Sequence, residues 1–156
     1  MHDQTHPADV ARAMPCSVEQ RAISVDAALR AVQAAVRQAR LLGVRVNVAV
    51  VDCFGIPAAF ARMPGAPLHS IDIAADKAYT AASFGLATSA WHAELASHSE
   101  AVRAGLTLRP RFVAFGGGVP IVEHGMRIGG IGVSGGSETQ DETVALAGLA
   151  SLGLAS

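Results

Sequence analysis

The stretch FGGGVPIVEHGMRIGGIGVSGGSETQDE, residues 115–142, has nine glycines among the 22 positions 115–136. One part of it, GIGVSG at residues 130–135, matches the G-x-G-x-x-G spacing of a dinucleotide-binding loop. Such a loop needs a second parallel strand and an acidic residue about 20 positions further on. Only 21 residues of the sequence follow Gly135. We therefore expect no dinucleotide at this loop.

The helix predicted after these glycines strengthens that expectation. It begins with carboxylates, which favour the positive end of a helix dipole and would repel a phosphate there: Glu138, Asp141 and Glu142. Glycines within strands instead mark bulges or places where another backbone or a ligand comes close. Two interpretations stay open. The glycines allow tight packing of a helix on a sheet, or they form the floor of a small-molecule pocket.

Hydrophobic periodicity predicts an α+β sandwich in the order α-ββ-α-α-βββ-α, with five strands in a mainly antiparallel sheet. We predict an N-terminal arm at residues 1–17 and one domain at residues 18–156. The predicted helices are 24–43, 70–85, 88–105 and about 137–152, and the predicted strands are 44–52, 56–62, 111–115 and two strands within 118–134 joined at His124–Gly125.

Composition excludes several classes of protein. With 51% hydrophobic and 16% charged residues the chain is not disordered, and a net charge of −1 gives no attraction for nucleic acid or an anionic membrane. Two distant cysteines, Cys16 and Cys53, form no metal-binding set, and no apolar run is long enough to span a bilayer. Because residues 1–15 lack the pattern of a secretory signal, we expect a cytoplasmic protein. The spacing of the cysteines predicts that the protein has no metal site.

Four motifs in order resemble the GlcG/HbpS family of small haem-binding or "haem-degrading" domains, which includes the C-terminal domain of PduO-type proteins. They are VNVAVVDCFGIPAAFARMPGA (46–66), IAADKAYTAASFG (73–85), GGGVPI (116–121) and GGIGVSGGSETQDE (129–142). The resemblance implies a five-stranded antiparallel sheet flanked by helices, in a profilin-like α-β sandwich, and a homo-oligomer, often an octamer. It also implies a small-molecule ligand, either haem, a corrinoid or another planar or organic-acid molecule.

Lys77 is the chain's only lysine and the first candidate for chemistry. It lies among alanines, beside Thr80, in the segment that matches the family's K-A-x-T-A pattern. A lysine in an apolar cleft can bind a carboxylate or act as a base or nucleophile. The alternative is a surface lysine paired with Asp76 or Asp72. Two further catalytic candidates follow from the same hypothesis: Arg62 to hold a carboxylate and His69 to move a proton.

The candidate ligand-binding residues form three groups. The glycine loop contributes backbone, and the end of the glycine-rich stretch contributes polar groups. His92 and His98 could each ligate haem iron, although their spacing of six residues does not make a metal-binding pair on one helix face. With Thr80, the full ligand-binding set is Gly116, Gly117, Gly118, Pro120, Ser134, Asp141, His92 and His98.

Three functions are compatible with these residues. The first is an oligomeric binding protein for haem, a corrinoid or a similar planar ligand in a catabolic context. The second is a cofactor-free lyase or isomerase acting on a small aromatic or organic acid, which resembles the hydroxylaminobenzoate lyases. The third is an accessory subunit whose small-residue faces serve assembly alone.

Overall fold

The structure, a computed structural model, describes residues 15–154 and has an α+β architecture with one antiparallel sheet of four strands flanked by helices. Most of the predicted N-terminal arm lies outside the described residues, and its last part, residues 15–17, is exposed.

The described part of the chain contains five α-helices, four strands and one 3₁₀ turn. The helices are α1 (Val25–Leu41), α2 (Ser70–Phe84), α3 (Trp91–Ala96), α4 (Glu100–Thr107) and α5 (Glu138–Ala150), with the 3₁₀ turn at Thr88–Ala90. The strands are β1 (Asn47–Asp52), β2 (Pro57–Arg62), β3 (Gly118–Glu123) and β4 (Met126–Ser134).

The sheet is built from two hairpins joined edge to edge in the order β2-β1-β4-β3. Asp52 shapes the first turn, because its carboxylate accepts hydrogen bonds from the amides of Phe54 (2.8 Å) and Ile56 (3.0 Å). The second turn lies at His124–Gly125, as predicted. Both residues have positive φ, 49° and 76°, which suits a two-residue hairpin turn.

One face of the sheet carries the larger hydrophobic core. Helices α1 and α5 cover this face with small and branched side chains, which pack on alternating valines of β1 and on apolar residues of β3 and β4. Side chains cap the first turns of both helices. The Ser24 hydroxyl accepts a hydrogen bond from the Ala27 amide, and Ser137 forms a reciprocal capping box with Gln140.

Helix α2 covers the other face and lies directly on the glycines of β4. A Cβ at Gly132 would overlap the carbonyl oxygen of Ala74 and the amide nitrogen of Ala78, and one at Gly130 would lie 2.5 Å from the carbonyl oxygen of Ala78. The interpretation of these glycines as sites of close helix–sheet packing is therefore confirmed.

The predicted fifth strand at residues 111–115 is wrong. Its main chain bonds to a helix side chain instead of to a neighbouring strand, because the Thr80 hydroxyl donates to the carbonyl of Arg111 (2.8 Å) and accepts from the amide of Val113 (3.1 Å). Arg111 also has a φ of 65°, which breaks an extended chain.

The predicted third helix is also divided. It consists of the 3₁₀ turn, α3 and α4, because Ser99 adopts an extended conformation and its side chain accepts from the amide of Val102, which begins a new helix. None of the helices in residues 15–154 is both long enough and apolar enough to cross a bilayer.

Gly132→Ala should destabilise the fold strongly, because the added methyl meets backbone atoms of α2 that cannot move aside alone. We expect a loss of at least about 1–3 kcal/mol in the free energy of unfolding, measured by chemical denaturation. Gly105→Ala is the matched control. Gly105 lies in α4 with no atom near its missing Cβ, so alanine should stabilise the fold by about 0.5–1 kcal/mol. Equal effects of the two substitutions would contradict the packing argument.

Candidate functional site

Lys77 lies inside the protein, with 1% of its surface exposed. Its ammonium donates to the carbonyl of Val133 at 2.9 Å and to Oδ2 of Asp141 at 3.0 Å. The ring of Phe115 covers the ammonium, with 4.8 Å between Nζ and the ring centroid. One side chain of α2 is therefore tied to the end of β4 and to the start of α5.

The start of α5 fixes the partner carboxylate. Asp141 is 3% exposed, and its second oxygen, Oδ1, accepts from the Gly136 amide at 2.8 Å. The capping box places Asp141 in the first turn of the helix, where the dipole favours a negative charge. The expected alternative pairing of Lys77 with Asp76 or Asp72 is wrong, since Asp76 instead binds Arg111 at 2.8 Å.

The pKa of Lys77 lies below its ordinary value, because burial disfavours the charged ammonium. The Asp141 carboxylate partly offsets this by its charge and its hydrogen bond, and Glu138 and Glu142 act in the same direction more weakly. A lysine of this kind can serve as a base or nucleophile when a substrate reaches it. In this arrangement the ammonium is fully engaged by protein groups.

The backbone amides of the glycine loop, residues 116–118, donate hydrogen bonds to side chains of the protein. The Gly116 amide donates to the Glu138 carboxylate at 2.6 Å, and the Gly118 amide donates to the Thr88 hydroxyl at 2.8 Å. Gly117 has a φ of 119°, and a Cβ there would lie 2.7 Å from the ammonium of Lys77. The loop thus closes over Lys77, and only glycine fits at its centre.

The other catalytic candidates lie apart from Lys77. Arg62 and His69 are exposed, and no hydrogen bond or ion pair within residues 15–154 joins either of them to Lys77. The guanidinium of Arg62 donates to the carbonyl of Ala66 at 2.8 Å, and His69 precedes the first residue of α2. Their catalytic roles stay predictions.

The predicted ligand-binding residues Thr80, Ser134 and Pro120 occupy three different places. Thr80 holds the segment after α4 through its hydroxyl, as described above, and Ser134 is buried at the end of β4 opposite Asn47. Pro120 lies on the edge strand β3 and lines a surface groove.

Sequence reasoning missed a cavity between α2 and the α3–α4 segment. This aromatic cavity has a volume of about 400 Å³ and is lined by Phe84, Gly85, Leu86, Trp91, Glu94, His98 and Leu106. Trp91 is the chain's single tryptophan and packs edge to face on Phe84, with 4.8 Å between ring centroids. Its indole N–H is buried and has no hydrogen-bond partner within the described residues.

His98 is the histidine that borders the aromatic cavity. Its Nε2 lies 3.4 Å from Oε1 of Glu94, one helical turn earlier, and its side chain is 40% exposed. A carboxylate next to one ring nitrogen is the usual arrangement for orienting a ligating histidine. His92 is exposed and does not line this cavity. Residues 15–154 contain no group of three or more histidine, cysteine or acidic side chains placed to share a metal ion.

A second depression continues from the aromatic cavity. This apolar groove has a volume of about 550 Å³ and is lined by Gly85, Leu86, Ala87, Val119, Pro120, Val122, Glu142 and Leu146. It shares Gly85 and Leu86 with the aromatic cavity. Glu142 is its only charged lining residue, and Oε1 of Glu142 accepts from the Ser89 hydroxyl at 2.6 Å. The two depressions together form an extended, largely apolar surface with a histidine at one end.

Comparison with known proteins places most of the chain in one family. A family model described as "Haem degrading protein HbpS-like" matches residues 23–150. The corrinoid adenosyltransferase PduO of Salmonella typhimurium is 38% identical over 127 residues, which are 77% of this chain and 36% of that protein. The chain thus spans about a third of the length of the curated PduO proteins that it matches.

Two crystal structures resemble the chain closely. The Klebsiella pneumoniae protein ORFY superposes with a TM-score of 0.83 at 32% identity, covering 92% of this chain and 99% of that one. The complex of PduOC with haem superposes with a TM-score of 0.76 at 34% identity, covering 83% of this chain and 94% of that one.

Removing either member of the buried ion pair should destabilise the protein. Lys77→Met leaves a buried carboxylate without its cation, and Asp141→Leu leaves a buried ammonium. Each should lower the free energy of unfolding by about 3–5 kcal/mol. The double variant should recover much of this loss, because apolar side chains often replace a buried pair at little cost.

Asp76→Asn provides the control for these variants. It breaks the Asp76–Arg111 pair, whose side chains are 27% and 41% exposed, so the expected loss is about 0–1 kcal/mol in the same denaturation experiment. If Lys77→Met is no more destabilising than Asp76→Asn, the pair does not organise the fold.

Proposed function

The chain belongs to the HbpS-like family, and we propose that it binds haem in the aromatic cavity with His98 as the iron ligand. The observation that carries the proposal is the position of His98 at the rim of an aromatic cavity that continues into an apolar groove. The haem complex of PduOC, at 34% identity, supports the same class of ligand.

The residues of the two depressions fit a flat, largely apolar molecule. Ligand sites generally have volumes of about 300–1,000 Å³ and are lined by apolar and aromatic side chains with a few polar groups. The aromatic cavity and the groove have volumes of about 400 and 550 Å³ and meet this description. Bound haem would supply a redox-active iron centre.

Each polar group near the cavity has a defined task in this proposal. The imidazole of His98 is accessible and can offer Nδ1 to the iron, while Nε2–H donates a hydrogen bond to the carboxylate of Glu94. The groove excludes water from the apolar edge of the ligand.

The remaining sequence predictions extend this proposal. A corrinoid is the second candidate ligand, also planar. We propose a homo-oligomer, supported by apolar side chains exposed around the edge strand β2, such as Phe54 (64%) and Phe60 (46%). A cytoplasmic location and a catabolic context stay predictions of the sequence.

A cofactor-free lyase or isomerase is the alternative function, and the buried Lys77 with its lowered pKa favours it. A substrate carboxylate would replace Asp141 or the Val133 carbonyl at the ammonium, with Arg62 and His69 assisting. Arg62 is exposed, so the variant Arg62→Gln should fold normally. This variant tests the alternative function. If an aromatic or short organic acid is turned over, this variant should raise KM; an unchanged KM would remove Arg62 from the mechanism.

His98→Ala should weaken haem binding at least about tenfold, the loss that even an outer partner of a metal ligand can cause. Titration with haem, followed by the Soret absorbance and by quenching of Trp91 fluorescence, measures the affinity and the iron ligation. His92→Ala is the control, because His92 lies on the neighbouring helix and does not line the cavity. Equal spectra and affinities for both variants would contradict the assignment, and a corrinoid titrated in parallel distinguishes the two ligands.

A further inference from the structure

A third depression shares lining residues with the aromatic cavity but none with the apolar groove. This arginine cavity has a volume of about 160 Å³, and its lining includes Tyr79, Ser83, Phe84, Leu106, Arg109 and Arg111. It shares Phe84 and Leu106 with the aromatic cavity, whereas the apolar groove shares Gly85 and Leu86 with it. The aromatic cavity therefore neighbours both of the others, and we call the three neighbouring depressions together the trough.

The two arginines of this cavity differ in the contacts that their guanidinium groups make. Arg111 is bound on two sides, because its Nε lies 2.8 Å from Oδ1 of Asp76 and its guanidinium stacks 3.7 Å from the centroid of the Tyr79 ring. The guanidinium of Arg109 makes no ion pair or hydrogen bond within residues 15–154. Its backbone is held by the hydrogen bond from its amide to the carbonyl of Leu106. Arg109 thus presents an unengaged positive charge at one end of the trough.

The opposite end of the trough carries a negative charge. Glu142 lies in the apolar groove, where the Ser89 hydroxyl holds its carboxylate. A ligand carboxylate placed there would be repelled and would lose its hydration among apolar side chains. The trough therefore has a positive end, a middle that combines aromatic side chains with Glu94 and His98, and a negative end, so that the arginine cavity is the end that favours an acidic group.

We propose that Arg109 binds the propionate carboxylates of haem and thereby sets the direction in which haem lies in the trough. This inference rests on the proposed function. A porphyrin has both carboxylates on one edge and hydrocarbon substituents on the opposite edge. Arginine binds a carboxylate through two parallel hydrogen bonds, and the unengaged guanidinium of Arg109 has both donors available. Glu142 then faces away from the propionates.

The test combines a change in the residue with a change in the ligand. Haem and haem dimethyl ester are titrated, in the same cosolvent, against the wild-type protein and Arg109→Gln, with quenching of Trp91 fluorescence as the measure of affinity. Because a partly exposed charge-assisted pair is lost, Arg109→Gln should bind haem about three- to tenfold more weakly. It should bind the dimethyl ester as the wild type does, since the ester has no carboxylate for Arg109 to hold.

Arg103→Gln is the matched control, because Arg103 lies on α4 and does not line the trough. It should bind both ligands as the wild type does. If Arg109→Gln weakens both ligands equally, or neither, the role of Arg109 is overturned while haem binding by the wild type stands. If the wild type binds neither ligand, the proposed function fails, and the role of Arg109 with it.

Discussion

Direct contact between the backbone of α2 and the glycines of β4 is the constraint on which the rest of the structure depends. Gly130 and Gly132 leave no side chain between helix and sheet, and the facing positions of α2 are alanines, chiefly Ala74 and Ala78. The atoms of α2 and β4 are close-packed where the helix backbone meets these glycines, so even one added methyl group would disturb the packing.

The close approach of α2 explains why the single lysine is buried and paired. A long side chain on the inner face of this helix has no path to solvent, so its charge must be neutralised within the protein. Asp141 supplies the neutralising charge, and the carbonyl of Val133 supplies a second acceptor. Gly117 is required for the same reason, because any larger residue would occupy the space of the ammonium. The glycine loop, the lysine and the start of α5 thus form one packed unit.

Local sequence patterns were sufficient to predict most helices and strands, but not the contacts between residues that are far apart in the sequence. The alternation in β1, the turn at His124–Gly125 and the caps at Ser24 and Ser137 depend on neighbouring residues, and the structure agrees with them. Residues 111–115 have the composition of a strand, but a hydroxyl 31 positions earlier binds their backbone. A lone lysine among alanines indicated a special position, whereas its partner lies 64 positions away in sequence. The aromatic cavity combines residues of α2, α3 and α4 and has no motif of its own.

The beginning of α5 contributes one carboxylate to the core and one to the apolar groove. Two consecutive acidic residues point to different places: Asp141 lies in the core against Lys77, and Glu142 lies in the apolar groove. Because Asp141 is neutralised, Glu142 is the carboxylate whose charge acts on a molecule in the groove. The capping box that begins the helix fixes both side chains at once. In the proposed binding mode, the same helix start that stabilises the fold would disfavour an acidic group at the groove end of the trough.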